Sequence, residues 1–417
     1  MNLNRHWAIE GSGLSMESGL IKNLLSGQGP EPFGHLSGKT GALFSRVTLD
    51  WFIKEEYIHD DYSLTHHDGR SIRTFSSGEQ KKALLNHLLS KNPDFLVLEN
   101  AFDMLDQASR GHLVSRLSEL SRTMTLIQVF RRSENILPFI TDVLRLKDDT
   151  IVFSGTPAAY RQRYSSETAV SLTGSVPPPL GETEPVDLPF IRFNKVSVRY
   201  GEKQILNTIC WDIHQGDFWQ LTGPNGAGKT TLLTMITGDN PKAYGQDLIL
   251  FGRKKGSGES IWDIKKKIGY VTPAMTVLFN GSHTVESMVV SGLFDSIGLY
   301  KKPSSLQQDL AGQWIDLIGL GDAKNTWFSD LADEQQCMVL IARAMIKHPP
   351  LLILDEPAHG LTDHQVTVLT ALVNTIAAQS RTTIIYVSHQ KEKGLTPKKT
   401  YELIAGDKGS EGRVRAE

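Results

Sequence analysis

The sequence predicts an α/β fold built twice in tandem, each copy a mostly parallel sheet covered by helices, with the first copy reduced. Three observations predict it. A short apolar strand, a glycine-containing turn and a helical run occur in the same order on both sides of a Pro-rich stretch. The helix openings Ser76-Ser77-Gly78-Glu79-Gln80 and Leu331-Ala332-Asp333-Glu334-Gln335-Gln336 are each followed by a helical run (81–90 and 337–347), a proline (Pro93 and Pro349) and an apolar strand. Ser76 lies 23 residues before Glu99, the acid ending its strand, and Ala332 lies 23 residues before Asp355. Matching chemistry at equal spacing marks a repeated unit. Uninterrupted apolar strands such as Leu351-Leu352-Ile353-Leu354 are what a sheet covered on both faces requires.

Residues 1–164 read as a degenerate, shortened unit, 165–189 as a linker, 190–405 as a complete unit and 406–417 as a polar tail expected to fray. At roughly 100 to 200 residues per domain, such a chain accommodates two or three domains. The linker holds Pro177-Pro178-Pro179, Pro185 and Pro189 among Ser, Thr, Gly and Glu, without apolar periodicity. Basic and acidic side chains number 44 and 46, a formal charge of −2, which argues against attachment to nucleic acid or lipid headgroups through bulk charge. Cys210 and Cys337 stand in no metal-ligand spacing, which argues against a disulfide scaffold or a zinc module and fits a reducing cytosol. Apolar runs such as Cys337 to Ala342 fall far short of the roughly 20 residues of a membrane span, and Met1 to His6 lacks the apolar core of a signal peptide. The expectation is a soluble, cytoplasmic protein, at most peripheral on the inner face of the membrane.

The strongest chemical signal lies in the second unit. The strand Gln220-Leu221-Thr222 leads into Gly223-Pro224-Asn225-Gly226-Ala227-Gly228-Lys229-Thr230-Thr231 and then into a helical run, satisfying G-x-x-x-x-G-K-[ST] in the strand, loop, helix context that the motif needs. Glycines let the backbone curl so that N–H groups and a helix N-terminus point at phosphate. Lys229 is expected to neutralise β and γ charge, and Thr230 to offer its hydroxyl to Mg²⁺. Asp355 and Glu356 end a buried strand. There Asp355 can hold the metal and Glu356 can take a proton from an attacking water. A further strand, Thr383 to Val387, delivers Ser388-His389 to the same sheet edge, where an imidazole can bond a γ-phosphate or that water.

Phosphate loop, LSGGQ-like helix start, Asp-Glu strand end and Ser-His strand end, in this order, resemble the ATP-binding cassette ATPases, and the resemblance covers nearly the whole chain. It implies ATP and Mg²⁺ as ligands and two cassettes pairing head to tail within the chain, each ATP lying between the loop of one and the signature of the other. By the same resemblance Tyr200 would stack on adenine. The stretches 250–264 and 291–300 look like a subgroup of tandem cassettes encoded alongside molybdate transport genes, which implies a membrane permease as partner.

The first unit is broken in a patterned way. Where the loop belongs it reads Gly11-Ser12-Gly13-Leu14-Ser15-Met16-Glu17-Ser18, with Met16 for the loop glycine and Glu17 for the lysine. Its strand-end pair is Glu99-Asn100, and the later strand ends Phe130-Arg131-Arg132, so the base and the histidine are both gone. Yet Ser76, Gly78 and Glu79 keep a usable signature, whereas Ala332, Asp333 and Glu334 stand at those positions in the second unit. In a head-to-tail pair the intact loop would meet the usable signature, and the failed loop the failed one. The failed pocket would gather Glu17, Asp333 and Glu334, and two unit charges about 4 Å apart at an effective dielectric near 20 repel by roughly 4 kcal/mol. The expectation is one working, slow ATP site closed by Ser76 and Gly78, and one dead site. Asp106 against Thr362 leans weakly the same way.

Glu17 to Ser76 spans 59 residues against 103 from Lys229 to Ala332, so about 44 residues of a helical arm are absent. The loop of the first unit is also preceded by too little chain for an antiparallel sheet, which reads as a reduced unit or a truncated start. Pro273 stands where cassette ATPases usually place a Gln that links Mg²⁺ to a transport partner, which counts against a permease and leaves a transporter-independent nucleotide switch as the alternative. His59, Asp60, Asp61, His66, His67 and Asp68 read as a solvated loop, Lys265 to Lys267 as a solvated helix face, and Trp262 and Trp327 as packing residues.

Overall fold

The computed structural model describes residues 5–11, 19–65, 70–103, 105–147, 150–164, 172, 174–181, 188–279, 283–389 and 391–416. The failed loop with Met16 and Glu17, together with His66, His67, Asp68 and most of the linker, lies outside them. The chain forms two compact units, Met1–Thr168 and Ala169–Glu417.

The first unit runs β1 (Trp7–Glu10), α1 (Gly19–Leu25), β2 (Gly41–Phe44), α2 (Arg46–His59), α3 (Ser77–Ser90), β3 (Phe95–Glu99), α4 (Gln107–Leu120), β4 (Thr125–Phe130), β5 (Asp142–Lys147), β6 (Thr150–Gly155) and α5 (Pro157–Tyr164). Its six strands order as β2-β3-β4-β1-β5-β6, all parallel except the β5–β6 pair.

The second unit begins with β7 (Ile191–Tyr200), β8 (Lys203–Ile213), β9 (Phe218–Thr222), α6 (Lys229–Ile236), β10 (Leu248–Leu250), β11 (Arg253–Lys254), α7 (Ile261–Lys266), β12 (Ile268–Val271), α8 (Ala274–Leu278), α9 (Val285–Ser291) and α10 (Ser305–Leu317). It continues with α11 (Asp333–Met345), β13 (Leu351–Asp355), α12 (Asp363–Gln379), β14 (Thr383–Val387), β15 (Lys399–Ile404) and β16 (Glu411–Ala416). Its main sheet orders as β12-β13-β14-β9-β15-β16, again with only the last pair antiparallel. Strand for strand this is the order of the first unit, so the repeat read from spacing extends to topology. The second unit adds a four-stranded antiparallel sheet, β11-β10-β7-β8, which has no counterpart among the described residues of the first. Among the described residues its arm of α8, α9 and α10 corresponds to α2 in the first unit.

Strands buried throughout, such as Phe95 to Glu99 and Thr383 to Val387, form the middle of each sheet because helices shield both faces. Local sequence sets the helix starts. Ser76, Ser304 and Thr362 each cap a helix, and Glu79, Gln307 and Gln365 reach back to the cap N–H. Trp211 of β8 stacks on Tyr401 of β15 at 4.3 Å, welding the antiparallel sheet to the main one.

Two expectations need correcting. Residues 411–416 do not fray. They form β16, paired with β15 from Lys399↔Ala416 to Ile404↔Glu411 and held by an Arg415–Glu402 ion pair at 2.5 Å. At a sheet edge, strand formation needs a neighbour with open hydrogen bonds rather than apolar residues, so composition hid it. Trp262 and Trp327 are not packing residues, being 68% and 47% exposed. The linker is also less free than its composition implies, since the Val176 N–H donates to Gln379 Oε1 at 2.7 Å on α12.

Candidate nucleotide site

β9 enters the glycine-rich loop and α6 leaves it. Gly223, Gly226 and Gly228 have φ of 147°, 75° and 97°, which side chains rarely adopt. Space imposes the same choice. A Cβ on Gly228 would come 2.6 Å from Leu206 of β8, and one on Gly223 2.8 Å from the Leu403 carbonyl of β15. The loop is therefore moulded between two strands, with Asn225, Gly226 and Thr230 exposed. Lys229 is the first residue of α6, and its buried side chain donates to the carbonyls of Gly223 at 2.7 Å and Pro224 at 3.2 Å.

β13, next but one to β9, ends on Asp355, and Glu356 follows with φ 54°, a left-handed turn that points the chain out of the sheet. β14 lies between them and delivers Ser388 and His389. His389 Nε2 bonds Glu356 Oε1 at 2.5 Å, and its Nδ1 lies 3.4 Å from Lys229 Nζ, which suits the Nε2–H tautomer. Lysine, histidine and glutamate thus form one continuous polar chain across three parallel strand ends. Burial works to raise the Glu356 carboxyl, but the His389 hydrogen bond, with the Lys229 charge behind, holds it below the usual glutamate value. It stays ionised at neutral pH and can accept a proton. Burial pushes the Asp355 carboxyl up, against the pull of the Tyr270 hydrogen bond.

Tyr270 was not expected here. Its hydroxyl donates to Asp355 Oδ2 at 2.9 Å from the neighbouring strand β12. Gln220 is a second such residue, its Nε2 donating to Ser388 Oγ at 2.8 Å and tying β9 to the end of β14. Neither has a local signal, because partners 85 and 168 residues away meet only once the sheet is built. Tyr200, expected at adenine, ends β7 and is 45% exposed, and its hydroxyl accepts from Asn240 at 2.9 Å just past α6. A serine or threonine hydroxyl with a carboxylate is a hard oxygen set of the kind Mg²⁺ takes, and Thr230 and Asp355 supply one.

In the first unit Ser76 caps α3. Its hydroxyl and N–H both donate to Glu79 Oε2, at 2.7 and 2.8 Å, and the hydroxyl bond holds the Glu79 carboxyl below its ordinary value. Glu79, expected to touch nucleotide, is thus engaged by its own helix cap. A Cβ on Gly78 would meet Ser109 Oγ of α4 at 3.0 Å. In the second unit Ala332 holds the cap position of α11 and has no oxygen to offer. Asp106 and Thr362 serve alike as caps of α4 and α12, accepting from Ser109 N at 2.9 Å and Gln365 N at 3.4 Å.

Comparison with known proteins bears on this arrangement. The ABC transporter family profile matches residues 206–359. The chain is 34% identical to the ABC transporter ATP-binding protein ModF of Escherichia coli, over 94% of this chain and 89% of that protein. An uncharacterised ABC transporter ATP-binding protein of Schizosaccharomyces pombe is 30% identical over 79% of this chain and 68% of its own length. Among solved structures, an archaeal ribosome recycling factor in complex with a ribosomal stalk protein aligns over 98% of this chain and 85% of that one, with TM-score 0.62 and 14% identity, a likeness of fold alone.

Proposed function

The chain belongs to the ATP-binding cassette ATPases, and from that membership we propose that it binds MgATP at one composite site and hydrolyses it slowly. Lys229 and the loop N–H groups of residues 223–231 hold the phosphates, Thr230 and Asp355 the metal, and Tyr200 the adenine. Glu356 acts as general base, His389 senses the γ-phosphate, and Ser76 and Gly78 of the first unit close the site, the two cassettes pairing within one chain. The observation that carries this reading is the Lys229–His389–Glu356 chain, with Nζ 3.4 Å from Nδ1 and Nε2 2.5 Å from Oε1. It sits beside a glycine loop in which a Cβ at residue 228 would press on the Leu206 side chain at 2.6 Å. The first unit has Asn100 and Arg131 at the corresponding strand ends, which supports a single working site.

The cell-level role we assign is a cytoplasmic ATP-binding subunit at the inner face of the membrane, serving a molybdate-type or related importer. No helix among the described residues is long and apolar enough to cross a membrane. A cleft of about 580 Å³ between α7, β12, α8 and α11, flanked by Trp262 and Leu278, offers an apolar face that a permease could cover. Pro273, at the start of α8, favours the second reading, a nucleotide switch acting without a transporter on a regulatory or nucleic-acid partner. Nucleotide stoichiometry on the purified chain tests the core of the proposal. One ATP per chain, lost in Lys229→Ala and retained without turnover in Glu356→Gln, is expected; two per chain, or turnover surviving Lys229→Ala, refutes it. Co-purification with a membrane permease separates the two cell-level readings.

A further inference from the structure

We propose that Glu56 is a positioning residue for the signature end of the first unit, a carboxylate that stands in for a backbone contact no longer supplied by the shortened helical arm. The inference rests on the reading that Ser76 and Gly78 close the nucleotide site. The two units can be compared residue by residue in front of their signature helices. Gln80 Nε2 donates to the Ile72 carbonyl at 3.0 Å, and Gln336 Nε2 donates to the Phe328 carbonyl at 3.1 Å, the same bond in each unit. Ile72 therefore corresponds to Phe328.

Their N–H groups are satisfied differently. In the second unit the Phe328 N–H donates to the His283 carbonyl at 2.8 Å, beside an antiparallel bridge between Thr284 and Trp327, so the arm itself holds this segment. In the first unit the Ile72 N–H donates to Glu56 Oε2 at 3.0 Å. The Ser71 hydroxyl donates to Glu56 Oε1, and Arg73 Nε lies 3.8 Å from that oxygen. The Glu56 side chain is 2% exposed. A carboxylate is costly to bury unless donors or opposite charge surround it, and here two hydrogen bonds, from Ser71 and Ile72, and the Arg73 guanidinium converge on it from three consecutive residues.

The geometric consequence concerns the signature. Ile72 is gripped through its N–H by Glu56 and through its carbonyl by Gln80. The segment between these anchors carries Ser76 as the cap of α3 and Ser77 and Gly78 in its first turn. Glu56, on α2, thereby fixes one foot of that segment and α3 the other. Loss of the carboxylate leaves the Ile72 N–H unpaired and the foot free, without touching the phosphate loop of the second unit.

The test uses the full chain and reads MgATP turnover beside ADP affinity, because in the composite reading ADP is held by the loop of the second unit. Glu56→Ala is expected to lower kcat at least tenfold with ADP Kd unchanged within twofold. Glu56→Gln, which keeps a carbonyl for the Ile72 N–H, is expected to restore most of the activity. If Glu56→Ala lowers the thermal midpoint, Ser71→Ala supplies a milder probe with the same expected split. Full kcat in Glu56→Ala, or parallel loss of kcat and ADP affinity, overturns the proposal. Ser76→Arg and Gly78→Asp separate the two layers. If they abolish turnover while Glu56→Ala does not, only the role of Glu56 falls; if they too turn over normally, the composite site falls with it.

Discussion

Asn100 and Glu356 hold the same left-handed backbone, φ 47° and 54°, each one residue past the end of matching strands β3 and β13. Each also donates its N–H across the sheet, to the carbonyls of Val129 and Val387 at 3.4 and 3.0 Å. Such a conformation is uncommon away from glycine, so its occurrence at both strand ends shows a shared scaffold on which the chemistry has diverged. A carboxamide there cannot serve as a base for water.

Restoring the carboxylate alone should therefore achieve nothing. Asn100→Glu is expected to leave phosphate release within twofold of wild type and nucleotide stoichiometry unchanged, since the partner chemistry at Arg131 still lacks an imidazole. Glu356→Gln, by contrast, is expected to lower kcat by roughly 10² to 10⁴, the usual worth of a positioned general base. Single-turnover phosphate release measures both.

The phosphate loop should resist even a methyl group. Gly228→Ala places a Cβ 2.6 Å from Leu206 at φ 97° and is expected to cost about 1 to 3 kcal/mol of stability along with ATP binding. Gly226→Ala meets no neighbouring atom within 4 Å, bears only the strain of φ 75°, and should bind ATP better than Gly228→Ala. Thermal midpoints with and without MgATP distinguish them.

The acid limb of the activity profile should report Asp355. Its carboxyl is raised by burial and drawn down by Tyr270, while Glu356 is held low. Removing the phenol in Tyr270→Phe leaves burial less opposed, so the Asp355 value rises further and the acid limb of kcat moves to higher pH. A pH–rate profile checks the direction; a limb unmoved or moved to lower pH contradicts it.

Lys81 makes stability depend on alkaline pH. Burial draws its ammonium down to about 8, although it donates to the Ala101 and Asp103 carbonyls at 2.7 Å each. The unfolded chain keeps this proton to about 10.4. Between these values the unfolded state binds more protons, so this residue makes stability rise with pH, by at most about 1.4 kcal/mol per unit. Urea midpoints across that window should carry this upward component in wild type and lose it in Lys81→Met.

What the sequence made legible was what lies contiguous along it. The loop 223–231, the Asp355-Glu356 pair and the spacing from Ser76 to Glu99 are each local strings whose chemistry survives without knowledge of the sheet. Tyr270, Gln220 and Glu56 escaped because each acts through a partner brought near by folding, and an isolated tyrosine, glutamine or helical glutamate reads as surface. β16 escaped for the opposite reason, its pairing being with a strand close in sequence but its residues too polar to suggest one. Trp262 and Trp327 misled because large aromatic rings are more often inside than out.

The arginines of β16 carry a wider consequence. β16 is the outermost strand of its sheet, and Arg413 and Arg415 repeat along one side of it. β8 meets the chain just before β16 at Ser410, and along the rest of the edge, where another chain could add on, the two arginines place positive charge, Arg415 being shared with Glu402. Replacing Arg413 and Arg415 by valines would therefore be expected to favour edge-to-edge association, read as increased light scattering of the variant relative to the wild type.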